Sequence, residues 1–321
     1  MLKVVDLSKK YKSALALNHL NMEIKKGELY GLIGENGSGK TTAIRIIAGL
    51  IKATSGEVWI DGVQEDKNRN LVKRKIGYVP DHFGTYSNIN VTEYMEFYTA
   101  AFGMYGNEAK ERVCQVLDLV ELLNVENRYV DELSEGMQHR LCLARALLHN
   151  PSLIIMDEPG YEIDPSIRQK FKRIFRNLWQ EGYTTLIASH CLADLSDLCT
   201  NVGIIHQGRM ALQGNIEDIL YDIDTANPIL ITVFKKLDTA VEILKKCNLV
   251  ERISIERNRI SILFEGTKEE EAILLKQMIE AGVYVTSFQR EYTNLETLFS
   301  QLREQEKGRE KDDADQSGFD K

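Results

Sequence analysis

Residues 34–41 read Gly-Glu-Asn-Gly-Ser-Gly-Lys-Thr, which fits GxxxxGK[ST]. That spacing is what a loop needs to hold a polyphosphate. Gly34, Gly37 and Gly39 let successive main-chain amides turn toward one anion, with Asn36 and Ser38 carried between them. The stretch "TTAIRIIAGL" that follows predicts a helix, whose N-terminus adds partial positive charge at the same place. Lys40 can reach the β- and γ-phosphates, the Thr41 hydroxyl can ligate Mg²⁺, and Thr42 joins the phosphate-binding set. A second group lies at 153–158, "LIIMDE", an apolar run ending in two acids. Asp157 would hold Mg²⁺, directly or through water. Glu158 would then face the γ-phosphate and orient or deprotonate the attacking water, because phosphoryl transfer needs positioning and charge stabilisation above all. Both groups imply a nucleoside triphosphate as ligand and Mg²⁺ as cofactor.

Each group needs a strand behind it. "ELYGLI" supplies one ahead of the loop, and "LIIMDE" is itself the other. Over the first 215 residues such strands alternate with helices, apart from a helical block at about 91–150, and the pattern predicts a layered α/β domain with a helical insertion. No internal repeat is present. After Pro228 the character changes: "ILITVF" reads as a strand, 238–247 as a helix, and "ERISIERNRISILFEG" as a hairpin turning at Arg257-Asn258. A helix with Leu274, Leu275, Met278 and Ile279 on one face follows, then a strand at 283–288 and a closing helix, "LETLFSQL". The order βαββαβ plus a helix predicts a small α+β, ferredoxin-like module over 221–303. From Glu304 the chain is almost wholly polar, with seven acids against four bases, and a disordered tail is expected over 304–321.

Composition narrows the class. With 43% apolar and 27% charged residues the 321-residue chain reads as globular. A net charge of −8 argues against a nucleic-acid partner, which calls for a basic stripe. No apolar run nears the roughly 18 residues of a membrane span. Lys3, Asp6, Lys9, Lys10 and Lys12 speak against a secretory signal. The five cysteines (Cys114, Cys142, Cys191, Cys199, Cys247) form no CxxC pair, and buried free thiols in a reducing cytosol are expected.

The loop at 34–41, "LSEGM" at 133–137, "LIIMDEP" at 153–159, "IDP" at 163–165 and "ASH" at 188–190 occur in one order across about residues 1–220. In this the chain resembles the nucleotide-binding subunit of an ABC transporter. The resemblance implies a P-loop NTPase core with an ABC-type β subdomain and a helical subdomain. It also implies two such domains sandwiching two ATP molecules, the loop of each facing the "LSGGQ"-type signature of the other. Tyr11 then stands where an aromatic ring stacks on adenine, and His190 where a histidine contacts the γ-phosphate. Asp164 stands for the acid of a loop speaking across the dimer, in the altered context "GYEID".

Two departures bear on the site. Asp81 follows "IGYVP" where the family commonly has glutamine; an aspartate can still ligate Mg²⁺, so the site is altered rather than lost. In the signature, Ser134 and Gly136 are kept, with a hydroxyl and an amide to touch the partner's γ-phosphate, while Glu135 replaces the first glycine and Met137 the glutamine. A carboxylate about 6 Å from that phosphate would cost roughly 2–3 kcal/mol per opposing charge at an effective dielectric near 20. Alternatively, Ser134 is a helix N-cap and Glu135 falls in the first turn. There it gains about 0.3–1 kcal/mol from the helix dipole and can point outward, and this reading is favoured.

One nucleotide domain, no membrane span and an appended module resemble the drug, antibiotic and peptide exporter branch. That implies a separate membrane-spanning subunit, received in a groove formed by the helical block and "HFGTYSNINVTEYMEFY" (82–98), and a peripheral place on the cytoplasmic face of the cell membrane. The second ATPase would be another copy of this chain, with a heterodimer also open. Asp81 and Glu135 keep a regulatory or immunity subunit with weak hydrolysis as the alternative. A soluble non-transport ABC ATPase is disfavoured, since such proteins carry paired nucleotide domains or long coiled coils. The transported substrate is not encoded here.

Overall fold

Alternation builds the first sheet. Leu2, Val4 and Leu7 of β1 (Leu2–Tyr11) and Leu17, Leu20, Met22 and Ile24 of β2 (Ala14–Ile24) are buried, the two strands pairing antiparallel. The register shifts between Val4 and Leu7, where Asp6 takes a left-handed φ of 52° opposite the similarly turned His19. With β4 (Ser55–Ile60) and β5 (Val63–Gln64) the order is β2-β1-β4-β5. The structure, a computed structural model, describes residues 1–290 other than 13, 82, 85, 159–164, 191–194, 196–197 and 220–226, with the side chains of 165–168 also left aside.

The second sheet holds both strands, "ELYGLI" and "LIIMDE", that the sequence places behind its two polar groups. It comprises β3 (Leu29–Ile33), β6 (Ile76–Val79), β7 (Leu153–Asp157), β8 (Thr184–Ser189), β9 (Asn201–His206) and β10 (Arg209–Asn215), in the order β10-β9-β3-β8-β7-β6. All neighbours are parallel except β10 on β9. Every residue of β3, β7 and β8 is buried, the mark of central parallel strands covered on both faces. Helix α1 (Lys40–Ile47) buries Ala43, Ile44, Ile46 and Ile47 in a cluster shared with Leu17, Leu32, Leu153, Leu186 and Ile205. At about 1.5–3 kcal/mol for each large aliphatic side chain removed from water, this cluster fixes the loop ahead of α1 to the sheet. A short helix, α2 (Arg69–Lys73), precedes β6.

The expected helical block resolves into α3 (Val91–Ala101), α4 (Gly106–Leu119), two 3-10 turns and α5 (Glu135–Leu147). A capping box starts α3: the Asn90 side chain accepts from Glu93 N while the Glu93 carboxylate accepts from Asn90 N. Beyond β7, α6 (Pro165–Gln180) opens on proline, whose missing N–H costs nothing at a first helical position.

Contacts divide the chain into Met1–Ile216 and Glu217–Lys321. In the second unit the elements run β11 (Ile229–Lys235), α7 (Leu237–Lys246), β12 (Val250–Glu256), β13 (Arg259–Phe264), α8 (Lys268–Glu280) and β14 (Tyr284–Arg290). They form an antiparallel sheet of order β12-β13-β11-β14. The hairpin turns where expected, Arg257 taking φ 55° between Glu256 and Arg259. Arg290 closes the unit: it pairs with Glu271 and donates to the carbonyls of Asn227 (2.8 Å) and Phe264 (3.2 Å).

Two expectations need correction. Ile279 is 57% exposed, because α8 buries only the i, i+4 stripe Leu274/Met278. Cys114 is exposed on α4, whereas Cys142 and Cys199 are buried and Cys247 is intermediate. Cys191, the closing helix and the polar tail lie outside the described residues. No helix among the described residues is long and apolar enough to cross a membrane.

Candidate functional site

Four parallel strands end side by side and each delivers part of the site, as open α/β sheets place ligands at their carboxyl ends. Ile33 pairs with Ser189 and Asp157 with Ala188, so the residues after β3, β8 and β7 are neighbours. Val79 pairs with Met156, which brings Pro80 and Asp81 beside the end of β7.

The loop after β3 is pinned at both ends. Gly34 N donates to Ser189 O at 3.3 Å and Gly208 N to Ser38 O at 2.8 Å. A Cβ on Gly34 would lie 2.5 Å from Ile205 O, and one on Gly39, already at φ 111°, 2.6 Å from Ala16 O. Neither position can accept another residue without moving backbone. The Ser38 hydroxyl is buried with no hydrogen-bond partner in the protein, an orphan that an oxygen-rich ligand would satisfy. Asn36 and Gly37 are exposed at the loop tip, and Thr42 is half-buried on α1.

Lys40 is 4% exposed and makes three contacts. Its Nζ donates to Gly34 O at 2.7 Å and Glu35 O at 3.2 Å, and pairs with Glu158 Oε1 at 3.3 Å. The other carboxylate oxygen of Glu158 accepts from His190 Nδ1 at 3.2 Å. Glu158 itself takes φ 48°, a conformation costing of order 1–3 kcal/mol for such a residue. Its N–H donates to Ala188 O at 3.2 Å, anchoring the turn. The two residues assigned to catalysis therefore touch, and their carboxylate sits on the loop lysine.

The Thr41 hydroxyl donates to Asp157 Oδ1 at 3.2 Å. Burial pushes the Asp157 carboxyl above its ordinary range; the Thr41 bond and Arg45 oppose this, and the charges of Glu158 and Asp81 add to it. A buried, charge-averse carboxylate beside a hydroxyl is a half-built site for a hard cation. Mg²⁺ takes few protein ligands and keeps waters and phosphate oxygens, so the donor set fits it. Asp81 is exposed, its charge is felt at Asp157, and its main-chain carbonyl accepts from His139 Nε2 at 3.1 Å.

Tyr11 is 45% exposed at the end of β1, with Lys9 Nζ 5.0 Å from its ring centre. Its hairpin partner β2 meets the phosphate loop through Ala16. Ser134 occupies the N-cap position of α5, its carbonyl accepting from Met137 N (2.8 Å) and Gln138 N (2.9 Å). Its hydroxyl, however, makes no capping bond, so the side chain does not cap as expected. Glu135 is exposed in the first turn, Gly136 buried and Met137 half-buried. Asp164 lies outside the described residues.

Sequence reading missed Arg140, which is 7% exposed. It donates to the carbonyls of Val120 (3.0 Å), Glu121 (3.1 Å) and Gly136 (3.4 Å), tying the signature turn to the end of α4. Burial depresses its proton affinity. An arginine following a signature looks like surface charge; only the carbonyls brought to it by the fold distinguish it.

The sheet, with its glycine loop leading into α1, has the architecture of a P-loop nucleotide-binding fold. Residues 17–160 match the family described as "ABC transporter". The chain is 38% identical over 223 residues, 69% of its length and 70% of the relative's, to the bacitracin transport ATP-binding protein BcrA of Bacillus licheniformis. It is 30% identical over 304 residues, 94% of its length and 98% of the relative's, to the linearmycin resistance ATP-binding protein LnrL of Bacillus subtilis. Among solved structures it resembles a dimeric, post-hydrolysis form of the ATP-binding cassette MJ0796 with ADP and Pi. There the TM-score is 0.61 at 29% identity, covering 67% of this chain and 99% of that one. The chain belongs to the ATP-binding subunits of ABC transporters.

Proposed function

We propose that this chain binds Mg-ATP on residues 34–42, closes with a second copy of itself around two nucleotides, and hydrolyses ATP to drive export through a separate membrane-spanning subunit. The observation that carries the reading is Glu158, held between Lys40 and His190 at 3.3 and 3.2 Å, beside the Thr41–Asp157 pair. Lys40 draws the β- and γ-phosphates against the loop amides. Glu158 orients the attacking water and takes its proton, and His190, on the same carboxylate, steadies the γ-phosphate as charge shifts. Thr41 and Asp157, with Asp81 nearby, would hold Mg²⁺, which supplies charge neutralisation at the phosphates.

The exposed Ser134 hydroxyl and the adjoining Gly136 face the partner's γ-phosphate in this reading, and Asp164 belongs to the loop that speaks across the dimer. Tyr11 carries adenine. Export of a drug, antibiotic or peptide is supported by the bacitracin and linearmycin names of the relatives, and pairing by the dimeric neighbour. The chain then sits on the cytoplasmic face through its membrane subunit. The βαββαβ unit is a ferredoxin-like accessory module that aids dimerisation or regulation.

Phosphate release by the purified chain tests the catalytic part. Wild type should turn over ATP with Mg²⁺, while Lys40→Ala and Glu158→Gln should not. Co-expression with the membrane subunit should yield a complex whose turnover responds to that subunit. Wild-type turnover no faster than Glu158→Gln would favour the regulatory alternative instead.

A further inference from the structure

Helix α5 is fastened to β6 at both ends by imidazoles. His139 Nε2 donates to the main-chain carbonyl of Asp81, just past β6, at 3.1 Å. His149 Nε2, just past α5, donates to Ile76 O, at the start of β6, at 3.0 Å. In each case the partner is a carbonyl, which can only accept, so Nε2 carries the proton. Both Nδ1 atoms are buried without a hydrogen-bond partner. A leucine would fill such a space without stranding an acceptor, so what the imidazole adds is the single bond at Nε2.

The His139 end is the informative one. His139 is 5% exposed and lies three residues past Gly136, within the turn that follows the signature. Its acceptor belongs to Asp81, two residues past Val79, and Val79 pairs with Met156, the residue before Asp157 of the chain's own nucleotide site. Among the described residues, Gln138 Nε2 and Arg140 bond within the helical subdomain, to Val130 O and to the carbonyls of Val120, Glu121 and Gly136. The His139 bond thus joins the helix that presents the signature to the loop that borders the chain's own phosphates.

We propose that His139 is a positioning residue that keeps the signature turn in register with the Asp81 loop, so that ATP in a chain's own site sets the posture of the signature it offers to its partner. This rests on the sandwich reading above, in which Ser134 and Gly136 serve the partner's ATP. It assigns His139 no contact with nucleotide.

The test compares His139→Leu, His139→Gln and His139→Asn, each in Glu158→Gln protein. Glutamine can place its amide donor near the position of Nε2, whereas asparagine reaches only as far as Nδ1. Two readouts are taken: amide hydrogen exchange over 134–138 with and without Mg-ATP at protein concentrations too low for dimers, and the ATP concentration at half-maximal dimer. In the parent, ATP should slow exchange over 134–138. His139→Leu and His139→Asn should lose that response and raise the dimer midpoint about tenfold, with ATP affinity of the monomer changed less than twofold. His139→Gln should restore both.

An unchanged exchange response in His139→Leu, or equal behaviour of the Gln and Asn variants, would overturn the proposal and reduce His139 to packing. A parent that shows the exchange response but never dimerises would refute the sandwich reading alone, while the response in the variants still decides the link. If His139→Leu does not fold, the Gln and Asn pair carries the decision.

Discussion

Removing the charge at position 135 separates two geometries of the signature by orders of magnitude. Glu135 is the first residue of α5, exposed, behind a Ser134 whose φ and ψ of −61° and 154° lead the chain into the helix. If its carboxylate stood about 6 Å from the partner's γ-phosphate, each opposing charge would cost about 2.8 kcal/mol at an effective dielectric near 20. A symmetric dimer repeats the contact twice. Glu135→Gln would then tighten closure by about 4–6 kcal/mol, or roughly 10³–10⁴-fold at about 1.4 kcal/mol per decade. An outward carboxylate about 12 Å away through water, with a Debye length near 8 Å, contributes under about 0.2 kcal/mol. Its helix-dipole gain of about 0.3–1 kcal/mol belongs to each monomer and cancels in closure. The exposed first-turn position supports the outward geometry. In Glu158→Gln protein, sedimentation against ATP concentration should give midpoints within about threefold for Glu135 and Glu135→Gln. Tightening of a hundredfold or more would refute the outward placement.

Three further outcomes follow from the same structure. Asp157 has its folded-state carboxyl pKa raised by burial, so the native state holds a proton more readily than the unfolded chain, whose value is near 3.9. Stability without divalent cation should therefore fall as pH rises from that value through the raised one, and denaturant melts of Asp157→Asn should lack this fall and show higher stability at neutral pH. Arg140→Met should cost about 2–4 kcal/mol, because the Val120, Glu121 and Gly136 carbonyls lose a buried donor. Thermal melting should show this as a drop of about 5–10 °C, and an unchanged melt would remove the buried clamp from the account. Tyr11→Ala should weaken ATP binding to the monomer by about 1–3 kcal/mol, while Tyr11→Trp keeps it, as read by nucleotide titration.

What was legible in the sequence were features with local periodicity or fixed spacing. The glycines at 34, 37 and 39 and the two acids after an apolar run announce themselves within a window of about ten residues, as does each single element of the βαββαβ series beyond residue 228. The pairing of Thr41 with Asp157, 116 positions apart, follows only once the order β3-β8-β7 is known. His139, Arg140, Arg145 and Arg290 were not legible at all. Their partners are largely carbonyls and ring hydroxyls supplied by distant segments, as with Arg145 on Tyr94 OH at 3.1 Å. Ile279 was misplaced because a four-residue apolar cluster on a helix is wider than the stripe that one sheet face covers. The Ser134 residue type marked the start of α5 correctly, yet its hydroxyl is spared from capping.

Whether two copies of this chain close around ATP is read from the mass of Glu158→Gln protein in solution with and without Mg-ATP. With hydrolysis blocked, the protein should be a monomer without nucleotide and a dimer holding two ATP molecules with it, and Lys40→Ala in the same protein should abolish the shift. Protein that binds ATP at saturation, stays monomeric, and does so equally as Glu135→Gln would contradict the sandwich of two copies on which the mechanism stands.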